Sequence, residues 1–389
     1  MSLVQHSYST VPYYRKLFDD AGLNPAAIRS IDDLPLIPTT SKHALLAAGP
    51  DATTSSAFQS HQLICELTSG SSGIPFTVQF DTHAIHMRNA MFLRALTSIG
   101  YRPGRKLLLI TSDRNKPSRS WLRWHYVSIA DGTEQLIEAM KRVRPWGLYG
   151  CMTPLRQLAT SLLDSSNGKS VPSPRFVAST AEPIDAVTRN LIARVFRSEI
   201  FDFYGMTEMG MVAWECPQHD GYHISEDNVL VEFIESEDST EGHRLVMTNL
   251  ELKATPFIRF ETGDIATSKT TEPCGCGCNF SRLKRVEGRI VDCIRLRDGS
   301  QISPYRFTLA IEQIAGVAQY RVIQQDLDTV VVCVKAAGET FERTGATVKR
   351  AVSDVVGHNT QVQVRRVDSL DPPPGQKFRV VESCVNAEP

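Results

Sequence analysis

The 389-residue chain carries 42 Lys and Arg against 43 Asp and Glu, a formal net charge of −1 at pH 7, with 42% hydrophobic and 22% charged residues. That balance is globular and argues against a nucleic-acid binder working through a broad basic face. No run approaches the ~20 apolar residues of a membrane span, and Met1–His6 has no basic stretch leading into an apolar one, so neither a membrane segment nor a secretory signal is expected. Nine cysteines without an export signal are then expected as reduced thiols or metal ligands, and the expected compartment is the cytoplasm.

The length calls for two units, one large and one small. In chain order, residues 1 to about 60 read as short helices joined by Pro-rich turns, with a break at Leu34–Pro38. Two apolar, strand-like stretches, Leu63–Leu67 and Phe76–Phe80, flank a run of hydroxyls and glycines. Helical spacing predicts a helix over Thr82–Ile99, then a buried strand over Lys106–Thr111. Alternation continues with helices at Gly132–Val143, Leu155–Leu163 and Asp185–Phe196 and strands at Arg175–Ser179 and Phe201–Tyr204. This predicts an α/β body on a largely parallel sheet. Val229–Ile265 turns to short strands, a β-rich subdomain. Beyond it, strands are predicted at Val291–Arg297, Tyr320–Gln325, Asp328–Val334 and Gln361–Val367, with helices at Pro304–Ile314 and Phe341–Val355. The fold class is therefore a large N-terminal α/β domain, 1–287, followed by a small α+β domain, 288–389.

Five strings bear on chemistry. Thr68–Gly73 reads T-S-G-S-S-G; glycines let backbone N–H groups converge on an anion and hydroxyls add donors, although the same residues make an ordinary turn. It is no Walker A loop, since no Gly-Lys-Ser/Thr follows. Phe203–Glu208 reads F-Y-G-M-T-E at a strand end, where a ring can lie on a base and a carboxylate can hold Mg²⁺; the alternative is a strand running into a capped helix. Glu261–Asp264 places a carboxylate after a glycine turn, suited to two ribose hydroxyls or to a simple turn. Val286–Arg289 falls at the expected domain boundary, and Pro374–Val380 carries Lys377 in a Pro/Gly-rich stretch.

The order of these strings resembles that of the adenylate-forming superfamily, and the chain is similar to its phenylacetate–coenzyme A ligase branch. Pro12–Arg15, Asp32–Pro35, Ala181–Pro183, Trp214–Cys216, Gly221–Ile224 and Cys274–Gly277 carry the narrower resemblance. It implies an ATP-dependent enzyme that converts a carboxylic acid, aryl or aryl-acetic, into an acyl-adenylate and passes the acyl group to coenzyme A. Thr68, Ser69, Gly70, Ser71, Ser72 and Gly73 would cradle the β- and γ-phosphates. Ala181, Glu182 and Pro183 would line the adenine pocket, with Tyr204 and Gly205 beside it. Thr207 would contact the α-phosphate and Glu208 would bind Mg²⁺. Asp264 would hold the ribose, Arg289 would reach ribose or phosphate, and Lys377 would neutralise the oxygens at the attacked phosphorus. A homodimer is the candidate assembly.

Two departures stand out. Ile74 occupies the place of a lysine that usually follows the phosphate loop, and Val291 that of the usual hinge aspartate, leaving Asp292. Transfer of the adenylate to an amine, and a nucleotide binder with weakened catalysis, are the competing readings. Cys216, His219, Cys274 and Cys276 suit a closed tetrahedral Zn²⁺ site, with Cys278 as alternate ligand and His223 expected in a structural or substrate-side role. Reduced, unliganded thiols are the alternative. Trp124, His125, Trp146 and Gly150–Pro154 are candidates for the acid pocket or for core.

Overall fold

Leu107, Leu108, Leu109 and Ile110 are all buried, as a strand covered on both faces requires. The computed structural model describes residues 2–68, 76–111, 122–164, 170–235, 242–336, 341–370, 372 and 378–385. Among them, nine strands form the central sheet. Trp124–Ser128, Leu107–Thr111, Gly147–Cys151, Phe176–Thr180 and Glu199–Met206 run parallel in that spatial order. Gly210–Glu215, Tyr222–Ile224, Arg282–Leu283 and Lys269–Thr270 then extend it antiparallel.

Local chemistry sets the crossovers. Asp81 accepts from the Ala84 amide at 3.0 Å and starts helix Thr82–Ser98; Asp185 accepts from the Thr188 amide at 2.6 Å and starts helix Ala186–Phe196. Helix Thr133–Val143 buries Leu136, Ile137, Met140 and Val143, one stripe at helical spacing, against the sheet. Helix Met152–Asp164 follows its strand without a break.

A second, antiparallel sheet of Val229–Glu235, His243–Asn249, Phe260–Ala266 and Val286–Arg289 packs its apolar side with Met209, Val212 and Phe257. Its last strand pairs Arg289 with Asp264. Gly288 in that strand has φ of 123°, and a Cβ there would stand 2.9 Å from Pro304 Cγ, so only glycine lets the next segment pack so close.

Beyond Arg289, the expected strand at Val291–Arg297 is instead a 3₁₀ turn, Ile290–Asp292, with a two-residue strand, Ile294–Arg295. Val291 is 46% exposed, so its β-branched shape is not used for pairing. The C-terminal sheet orders Gln361–Arg366, Thr329–Ala336, Val317–Asp326 and Val381–Ser383. Val322, Val330, Val332 and Val334 meet Val348, Val352 and Val356 of helix Phe341–Val356 and Phe307 of helix Pro304–Ile311 in a separate core. No helix among the described residues is long and apolar enough to cross a membrane.

Candidate active site and metal centre

Parallel strands bring their carboxyl ends to one edge, where an open α/β sheet offers its crevice. Register aligns Cys151 with Thr180 and Thr180 with Phe203, so the segments that follow, at Ala181 and Tyr204, emerge side by side. Ala181 has φ of 71°, a left-handed conformation that costs a non-glycine residue about 1–3 kcal/mol and concentrates at functional sites. Glu182 does not turn its carboxylate outward. Its Oε2 accepts from the Thr153 amide at 2.8 Å and the Thr153 hydroxyl at 2.6 Å, capping helix Met152–Asp164. Pro183 is exposed beside it.

After Tyr204 the chain does not run into a capped helix. Residues 207–209 reverse it into the antiparallel strand Gly210–Glu215. A Cβ on Gly205 would stand 2.6 Å from the Gly210 carbonyl oxygen, so the hairpin closes tightly only with glycine there. Asn249 donates to the Glu208 carbonyl and Asn228 to the Met209 carbonyl, each at 3.0 Å, which fixes the turn. Thr207 is half-buried within it.

The turn presents Glu208, only 8% exposed, to Asp264 and Arg289. Burial pushes the Glu208 carboxyl above its ordinary range; Lys42 and Arg289 pull it back and Asp264 opposes them. The Tyr204 hydroxyl donates to Asp264 Oδ2 at 2.5 Å, and Arg289 Nε lies 3.6 Å from Asp264 Oδ1. Burial, then the Asp264 charge, raises the Tyr204 phenol well above its usual range, so it stays a donor. The structure thus brings together Tyr204, Gly205, Thr207, Glu208, Asp264 and Arg289. It also adds Lys42, which no sequence motif marks. This half-buried lysine opens helix Lys42–Ala48 after the Ser41 cap, and burial lowers its ammonium while Glu208 raises it. A lone Thr-Ser-Lys is unremarkable in sequence; only the fold brings the N-terminal segment to the turn.

Thr68 is buried at the base of its hairpin, donating its amide to the Phe76 carbonyl at 2.9 Å and accepting the Phe76 amide on its hydroxyl at 3.0 Å. Ser69, Gly70, Ser71, Ser72, Gly73 and Lys377 lie outside the described residues. Trp124 belongs to core, its indole N–H donating to the Tyr101 hydroxyl at 2.8 Å.

Four residues able to ligate a metal assemble where the central sheet turns antiparallel. Cys216 Sγ stands 3.7 Å from Cys274 Sγ, and Cys276 Sγ 3.2 Å from His223 Nε2. All four ligand atoms lie within 4.8 Å of one another. Bonds of ~2.3 Å to sulfur make a tetrahedral S···S edge of about 3.8 Å, so the set fits Zn²⁺. His223 is fully buried; its Nδ1 faces the Phe280 carbonyl at 3.2 Å, leaving a lone pair on Nε2, and burial lowers its pKa toward the neutral form that binds metal.

The group that could hold a metal thus contains His223 and not the expected His219. At φ of 49° its ring stacks on Phe201, with Nε2 3.0 Å from Glu199 and Nδ1 3.5 Å from Glu215. The Glu215 carboxylate above all raises its pKa, favouring an imidazolium that has no lone pair to give. The Cys278 amide donates to Cys276 Sγ at 3.4 Å, while its own side chain packs on the core near Trp214 and Phe280. Pairing of His223 with Arg282 across two strands carries the histidine to the cysteine turn, a register that residue spacing does not reveal.

A large α/β domain and a small α+β unit thus frame an acidic cluster at the strand ends. The CapK C-terminal domain family matches residues 294–383. Phenylacetate-coenzyme A ligase of Thermus thermophilus is 27% identical over 368 residues, covering 89% of this chain and 82% of that protein. A crystal structure of 2-hydroxyisobutyryl-CoA ligase in the postadenylation state superposes with a TM-score of 0.82 at 20% identity, covering 98% of this chain and 87% of the other. The same enzyme in its thioesterification state gives 0.65 at 21% identity, covering 98% and 88%. Over most of its length the chain is thus similar to phenylacetate-coenzyme A ligases, and it shares the fold of 2-hydroxyisobutyryl-CoA ligase.

Proposed function

We propose that the chain activates a carboxylic acid, aryl or aryl-acetic, with ATP and transfers the acyl group to coenzyme A. A carboxylate oxygen attacks the α-phosphorus, the bond to the β-phosphate breaks and pyrophosphate leaves. The coenzyme A thiol then attacks the acyl carbon, and AMP leaves. The observation carrying this reading is the cluster at the strand ends of buried Glu208 and Asp264 with half-buried Tyr204 and Arg289.

Asp264 would accept the ribose hydroxyls while Tyr204 holds its carboxylate in place. Arg289, its partner in the ladder, faces the phosphates, and Lys42 supplies a second cation in a chain whose Ile74 supplies none. Attack by one anion on another is limited by charge and alignment, which these groups address. Mg²⁺ at Glu208 would add neutralising charge at the phosphates. Lys377 is proposed to complete that potential for the first step. The domain boundary is proposed at Glu287–Gly288, with the turn at Ile290–Asp292 as the pivot. Zn²⁺ on Cys216, His223, Cys274 and Cys276 is proposed as structural, since four protein ligands leave no open position.

The test is ATP–pyrophosphate exchange over a panel of aryl, aryl-acetic and aliphatic acids, followed by coenzyme A or amines. Exchange with an aryl acid and a thioester product supports the proposal. An amide product, or no exchange with any acid, rejects it.

A further inference from the structure

Phe378 is the residue that follows Lys377, and the guanidinium of Arg156 lies 4.7 Å from the centroid of its ring. Arg156 is 7% exposed and sits in helix Met152–Asp164, the helix that Glu182 caps. Arg379, one residue further, donates through Nε to Asp292 Oδ1 at 2.8 Å. The segment leaving Lys377 is thus gripped twice. The Asp292 contact is made within the small unit at the pivot, whereas the Arg156 contact crosses to the large one. A planar cation stacked on a ring is directional, and a desolvated one is among the stronger of such contacts.

We propose that Arg156 is a positioning residue for the adenylation step: through its contact with Phe378 it holds the residue that follows Lys377 against the helix that Glu182 caps. This rests on the function proposed above. One continuous path results, from Glu182 to Thr153, along the first turns of the helix to Arg156, and across to Phe378. A turn of the small unit about Ile290–Asp292 would separate Arg156 from Phe378, so the contact is proposed to serve the first half-reaction and not the second.

Three measurements test this on the full chain, with Arg156→Met, Arg156→Lys and Phe378→Ala. The first needs no substrate: the initial rate of tryptic cutting after Lys377, read by mass spectrometry. Arg156→Met and Phe378→Ala are expected to raise it about tenfold, and Arg156→Lys, which keeps a cation over the ring, by less. The second is ATP–pyrophosphate exchange with phenylacetate, where kcat is expected to fall about tenfold in the same two variants with partial recovery in Arg156→Lys. The third is conversion of synthetic phenylacetyl-adenylate and coenzyme A to thioester and AMP, expected within about twofold of the native rate. An unchanged tryptic rate overturns the inference, as does an equal loss in both half-reactions. Phe378→Ala acts on a half-buried ring, so it keeps the test open should Arg156→Met fold poorly. If the native chain exchanges with no acid, the functional proposal falls, and the tryptic rate alone decides the Arg156–Phe378 contact.

Discussion

Replacing His223 by alanine is expected to strip the metal from the protein, while replacing His219 is not. The four ligands join the end of strand Gly210–Glu215, strand Tyr222–Ile224 and the turn at Cys274–Cys276. Cys216 and Cys274 are 58 residues apart, so a metal bridging them closes a loop of that length. Loop-closure entropy for a cross-link of this span is worth about 4 kcal/mol. In a unit this large, about 4 kcal/mol corresponds to a Tm lower by roughly 8–16 °C. His219→Ala loses only half-exposed bonds to Glu199 and Glu215, worth about 1 kcal/mol, or roughly 2–4 °C. The assay pairs zinc content per chain, by elemental analysis, with thermal unfolding before and after chelation. His223→Ala should contain little zinc and match the chelated native protein in Tm; His219→Ala and Cys278→Ser should keep one zinc per chain. Full zinc in His223→Ala, or loss of zinc from His219→Ala, refutes the ligand set. A chelated native protein with unchanged Tm refutes the structural role.

Glu208→Gln should abolish exchange yet stabilise the free protein at neutral pH. Burial raises the folded pKa of Glu208, so its contribution to stability is full below the unfolded value of about 4.3 and is lost as pH rises through the folded pKa. The Tm gain over native should therefore vanish in acid, as melting across pH would show. Tyr204→Phe removes a hydrogen bond to a buried carboxylate worth about 1.5–3 kcal/mol and should raise the KM for ATP about tenfold or more with the fold intact, measured by steady-state kinetics. Glu182→Ala leaves two Thr153 donors uncapped and should cost about 1–3 kcal/mol in denaturant unfolding, whereas Glu182→Gln recovers part of it. Lys377→Ala should lose exchange while retaining ATP affinity by calorimetry.

Much of the large domain was legible because parallel strands buried on both faces announce themselves as apolar runs, as at Leu107–Ile110, and because Asp81 and Asp185 mark helix starts. Strand Trp124–Ser128 carries no such signal, because its Trp-His-Tyr-Val-Ser mixes polar and aromatic residues at a sheet edge, where burial is incomplete. The expected strand at Val291–Arg297 failed for a related reason. Two β-branched residues at Ile290–Val291 suggest pairing, but Gly288 packs against Pro304 and turns the chain at that point.

The active cluster and the metal centre differ in what a linear reading can recover. Tyr204, Asp264 and Arg289 come from three different strands, yet each sits beside a glycine that marks it locally, so such strings are legible in the linear sequence. The metal centre depends on register instead. Cys216 and His219 have ligand-like spacing, but a left-handed residue at His219 swings its ring onto Phe201, and the pairing of His223 with Arg282 delivers the other histidine to Cys276. Shifting that pairing by one residue would place Tyr222, not His223, on the cysteine side, since side chains alternate faces. Gly221 guards that register: its φ of 84°, and the 2.6 Å that would separate a Cβ there from the Leu283 carbonyl oxygen, allow no side chain. Gly221→Ala should therefore lower zinc content although it alters no ligand, and a variant with full zinc and native Tm would show that the register does not depend on this glycine.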